Sequence, residues 1–141
     1  MTILKKISQT TFGFLVSEAN DWRSRDEVEV AVTGTGGNEE YMLAGTILAA
    51  GATAADPVVA WTGSGDAIGI LGQTTAVRED DEPVRVTAIT RDAEVKGADL
   101  VYPEAASADA VAATLRKLGI IVRVNKGLKI GASGPGPAAS T

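Results

Sequence analysis

The chain contains no cysteine and no histidine, and these two absences remove much of enzymology. Without thiol or imidazole there is no thiolate nucleophile, no Cys or His metal ligand, and no Ser-His or Cys-His catalytic pair. The lack of cysteine is neutral about compartment, because disulfides are optional in either setting. Aromatics are scarce: two Trp, two Tyr and two Phe in 141 residues. The interior must therefore be filled by Val, Ile, Leu and Ala, which favours a small domain supported by association. No apolar run approaches the roughly 18 to 20 residues that a bilayer span needs. Ile3-Leu4-Lys5-Lys6-Ile7 also lacks the apolar centre of a signal peptide, so synthesis in the cytoplasm is the expectation.

Charge is unevenly spread. The net value of −5 resolves into +2 over residues 1–25, −12 over residues 26–115 and +5 over residues 116–141. An acidic body repels nucleic acid, and neither basic end carries the dense run or interleaved aromatics of a nucleic-acid arm. Both ends suit either solvent or an acidic partner.

Three regions follow from the pattern. Residues 1–25 read as an extended arm, in which Phe12, Phe14 and Val16 share one side by period two and Trp22 stands among charges. Residues 26–124 read as a β-rich body. Val28, Val30 and Val32 alternate with polar or small residues, Val84, Val86 and Ala88 repeat the pattern, and short strands are expected at 45–48, 58–61, 67–72 and 93–96. Glu39 to Leu43 offers a short helix. In the later part, Leu100-Val101-Tyr102 suits a strand stopped by Pro103, Ser107 caps a helix over 108–118, Gly119 closes it, and Ile120 to Val124 resumes as a strand. Residues 125–141 form a Gly/Pro-rich low-complexity tail unable to build a core. The fold class is β-dominated α+β with one helix in its C-terminal half.

The motifs that invite chemistry are weak. Gly63-Ser64-Gly65-Asp66-Ala67-Ile68-Gly69 resembles a nucleotide loop, yet the later glycines are wrongly spaced and no helix follows. Lys96 lacks the flanks of a lipoyl or biotinyl lysine and reads as a surface residue on an edge strand. Glu79 to Glu82 lacks the alternating ligands of a calcium loop and reads as a solvated turn. No catalytic residue, cofactor or metal is expected, and the chain reads as a structural or interaction protein.

Val59-Ala60-Trp61, the glycine-rich turn, Ala67-Ile68-Gly69-Ile70-Leu71, and Val101-Tyr102-Pro103-Glu104-Ala105-Ala106-Ser107 with its helix and closing strand fall into one order. That order resembles the head decoration, or capsid-stabilising, proteins of lambda-like tailed bacteriophages over about residues 57–124. Ser17-Glu18-Ala19-Asn20 and Arg23 to Val30 resemble the front of other members. Tyr102 stands where the lambda member has tryptophan, and residues 125–141 have no counterpart there. The resemblance implies a non-enzymatic homotrimer on threefold and quasi-threefold sites of the expanded head, on the outer surface of the virion. It also implies that the protein stabilises the shell against packaged DNA, and that the arm binds the major capsid protein. Within the arm, Phe12, Phe14, Leu15, Val16, Trp22, Arg23 and Arg25 are the expected contacts, with no direct nucleic-acid or membrane partner. A carbohydrate- or host-surface-binding β module displayed on the virion is the competing class; it needs clustered exposed aromatics, for which Trp22 and Trp61 are few.

Overall fold

A computed structural model describes residues 11–19, 23–80 and 82–123 of the chain. In chain order they form β1 (Leu15–Glu18), β2 (Arg25–Val30), β3 (Tyr41–Met42), β4 (Ile47–Ala49), β5 (Val59–Ala60), β6 (Ala67–Leu71), β7 (Thr75–Ala76), β8 (Val84–Ile89), β9 (Ala93–Lys96), α1 (Ala108–Arg116) and β10 (Ile120–Arg123). The β-dominated α+β class holds.

The alternating strands make a five-stranded antiparallel sheet in the order β2-β8-β6-β4-β5. Its two ends meet. Val58, just before β5, donates to the Glu29 carbonyl and accepts from the Ala31 N–H, each at 2.8 Å, so the last strand is tied back to the first. The sheet is rolled into a small barrel, closed where Val58 meets the end of β2 at Val30. A second sheet, β1-β9-β10, has β1 antiparallel and β10 parallel to its central strand β9, and α1 lies in the crossover from β9 to β10. A two-residue ribbon pairs β3 with β7.

Strand periodicity separates two cores. Ile47, Ile70 and Ile89 face one side, where Phe14, Trp61, Val95, Val111, Leu115 and Ile120 are buried. Their chain neighbours Leu48, Leu71 and Ala88 face the other, with Val30, Met42 and Val86. Successive residues of one strand thus serve opposite interiors, and a slip of one residue would exchange them.

Helix α1 is bounded as the sequence indicates. The Ser107 hydroxyl accepts from the Ala110 N–H at 3.1 Å, Asp109 lies in the first turn and Arg116 in the last. These match the polarity of the helix dipole. Gly119 at φ 80 turns the chain into β10, and a Cβ there would lie 2.6 Å from the Asp92 carboxylate.

Four expectations are corrected. Glu39 to Leu43 is not helical. The Asn38 side chain accepts from the Glu40 and Tyr41 N–H groups at 2.9 and 3.1 Å, making a local turn that feeds β3. Leu100 to Tyr102 does not form a strand; only Val101 bridges, in parallel, to Thr46. Lys96 is exposed but belongs to the central strand of its sheet, not an edge. The fourth is the unbroken extension expected of residues 1–25: a turn over 11–14 precedes β1, and β2 starts at Arg25. The tail 125–141 lies outside the described residues.

Candidate functional site

The segment between Thr11 and β2 is where the expected capsid contacts fall. It is built into the body by long-range bonds. A turn over 11–14 is closed by the Leu15 N–H donating to the Phe12 carbonyl at 3.0 Å, and Phe12 itself takes φ 54. A bulky residue in left-handed geometry is uncommon and persists where its surroundings fix it. Here the Phe12 N–H donates to the Gly72 carbonyl at 2.7 Å. The ring covers Gly72 so closely that a Cβ at that position would lie 2.5 Å from two ring carbons. Above the ring the Arg25 guanidinium sits 4.0 Å from its centroid, a stacking geometry worth about 0.5–1 kcal/mol at exposed sites.

Arg25 is itself oriented by Glu18. Its Nε and Nη2 donate to the two carboxylate oxygens at 2.9 and 2.7 Å, a bidentate fork. That hydrogen bond, outweighing partial burial, raises the Arg25 pKa above its already high ordinary value. Ser24, wholly buried, ties β1's end to the body: its hydroxyl accepts from the Ala19 N–H at 3.0 Å and donates to the Asp92 carbonyl at 2.7 Å. Arg91 donates to the Arg23 carbonyl and to Asp26.

The seven expected contact residues therefore separate. Phe14 is 1% exposed and packs in the core beside Trp61 and Val95, and its carbonyl accepts from Lys96. It belongs to the body's interior. Phe12 and Leu15 are half-buried against the same core. Val16 is 49% exposed. Arg23 is exposed, Arg25 is engaged by Glu18 and Phe12, and Trp22 lies outside the described residues. The shared side expected of Phe12, Phe14 and Val16 fails because the turn precedes β1 and a bulge falls between Leu15 and Ser17. Glu18 and Gly72, which complete this arrangement, were not singled out as contacts. A glycine directly after the apolar run 67–71 is the sequence signal for such a close approach.

A second concave feature is an open groove of about 240 Å³ lined by Gly36, Thr46, Trp61, Val101, Tyr102 and Pro103, among others. Trp61 is only 3% exposed, and its indole N–H donates to the Gly65 carbonyl at 3.1 Å. Its face is not available for stacking on a sugar. Among the described residues no group of three acidic side chains could hold a metal ion, and no helix is long and apolar enough to cross a membrane.

The segment from Phe12 through β1 to Arg25 is anchored on the barrel and the second sheet by its bonds to Gly72, Lys96 and Asp92. The family model for bacteriophage lambda head decoration protein D matches residues 5–121. The chain belongs to that family. A comparison with curated proteins finds no match. As a head decoration protein it has a structural role on the phage capsid and is a component of the virion. The match spans the anchored segment, the barrel, α1 and the start of β10, so the family reaches well beyond the 57–124 stretch in which the resemblance was most evident.

Proposed function

We propose that this protein trimerises on the threefold and quasi-threefold positions of the expanded phage head, on its outer surface, and reinforces the shell against packaged DNA. The N-terminal arm binds the major capsid protein. The observation that carries this reading is the decoration-protein match from residue 5 to residue 121, which includes both the chain end and the body.

Among the described residues the first long-range backbone bond is made by Phe12, which supports a capsid-binding portion of residues 1–11 joined by the outward side of β1, where Val16 is exposed. Eleven residues span on the order of 36–40 Å when extended. The outer edge of β1 supports backbone pairing with a capsid strand, and Arg23 supports contact with acidic capsid groups, which makes docking salt-sensitive. Three arms on one trimer multiply modest contacts through effective concentration, and a ligand that binds only the expanded lattice stabilises it by mass action.

The test is imaging of expanded heads with and without the protein, together with sedimentation of the free chain. Density at threefold positions and a trimeric mass are expected. Bare threefold positions at saturating protein overturn the reading.

A further inference from the structure

We infer that Phe12, held between Gly72 and the Arg25–Glu18 pair, is a positioning residue for capsid binding: it fixes the point and direction from which the arm leaves the body. The inference rests on the capsid-arm reading and goes beyond it by naming the device that aims the arm.

Three independent contacts converge on this one residue. Its backbone N–H is bonded to the Gly72 carbonyl at 2.7 Å, its ring occupies the space that any side chain at 72 would need, and the Arg25 guanidinium sits over the ring at 4.0 Å. Arg25 in turn is locked by two bonds to Glu18 at the end of β1. The φ of 54 at Phe12 is unfavourable for a bulky residue and is held by its surroundings: the ring is half-buried against the core, with the Phe14 ring centroid 6.2 Å away. The turn over 11–14 precedes β1, and the Phe12 N–H bond holds this point of the chain beside Gly72, directly after β6.

Holding residues 12–14 in the free protein removes backbone freedom before docking. A partner that must otherwise order those residues bears that cost at binding, roughly a factor of ten in affinity for each residue released. The Gly72 contact is selective for this purpose, because a Cβ at 72 would lie 2.5 Å from two carbons of the ring and displace it.

The experiment uses the full chain with Phe12→Ala, Phe12→Tyr and Arg25→Lys, each measured for melting temperature in solution and for affinity on expanded heads. Phe12→Ala is expected to remain folded and bind heads about tenfold more weakly. Phe12→Tyr keeps the ring and restores binding. Arg25→Lys keeps the charge while losing the planar stack and the fork, and gives a partial loss. Wild-type affinity in folded Phe12→Ala overturns the inference, as does a binding loss that only tracks the fraction unfolded. Should Phe12→Ala fail to fold, wild-type affinity in folded Arg25→Lys overturns it. A wild-type chain that leaves heads bare overturns the capsid reading and the aiming role with it, whereas bound wild type with indifferent variants overturns the aiming role alone.

Discussion

The Thr114 hydroxyl accepts the backbone N–H of Ala67 at 2.8 Å, joining helix α1 to the first residue of β6. Both residues are buried, at 6% and 3% exposure, so this is the point where helix and barrel share a polar bond inside an apolar wall. Replacing Thr114 by Val keeps the shape and strands the amide. A loss of about 1–3 kcal/mol in unfolding free energy is expected from denaturant titration. Thr114→Ser retains the acceptor and costs about 1 kcal/mol, the value of one buried methyl group. Equal stability of the two variants would remove the bond from the account.

Ser107 is the simplest local test. Its hydroxyl satisfies the Ala110 N–H, and Ser107→Ala is expected to lower stability by about 1 kcal/mol with an unchanged denaturant slope. An unchanged midpoint means that water caps the helix equally well.

Truncation distinguishes arm from body. Removal of residues 1–10 leaves every described contact in place, and such a chain is expected to keep its melting temperature while losing head occupancy. Removal of residues 1–24 takes away Phe14, β1 and the buried Ser24. Loss of a buried Phe side chain alone costs about 3–5 kcal/mol, so this longer deletion is expected to unfold. Full occupancy by the shorter deletion would sink the arm proposal.

Asp80 provides a titration. Both its oxygens accept from Arg78, at 2.9 and 2.7 Å, and the Glu82 N–H adds a third bond at 3.1 Å. These hold its pKa at about 2, below the ordinary 3.8, with the Arg78 hydrogen bond as the first cause. A depressed carboxyl pKa stabilises the native state above the ordinary carboxylate value, and that contribution is lost as pH falls through about 2. The pair is fully exposed, so its effect belongs to the turn and not to global stability. Carboxyl NMR is expected to give a midpoint near 2, moving toward 3.8 in Arg78→Ala. An unmoved midpoint contradicts the pairing.

Elements with a long local pattern were legible in the sequence. The Ser107 cap, Gly119 and the alternation in β8 each carry their own signal within a few residues, and the structure places them as read. What escaped depends on partners far along the chain. β1 is a strand because it meets β9 nearly eighty residues later, which no window around Phe12 to Glu18 can reveal. β3 and β7 have two residues each, too few to show a period. The common side that period two gives Phe12, Phe14 and Val16 is lost for a related reason. Regular alternation was assumed across Phe12, Phe14 and Val16, whereas a left-handed residue and a bulge break it twice.

Closure of the barrel through Val58 has a bearing on life in a crowded lattice. A protein set at many neighbouring positions on a shell meets copies of itself at high density, where an open row of backbone amides and carbonyls would recruit the wrong neighbour. In the described structure the barrel spends those groups internally. The outer edges of four-residue strands remain on β1 and β10, the two flanks of the second sheet. Of the two larger sheets described, it is therefore the smaller one, and not the barrel, that keeps backbone to offer a neighbour on both sides.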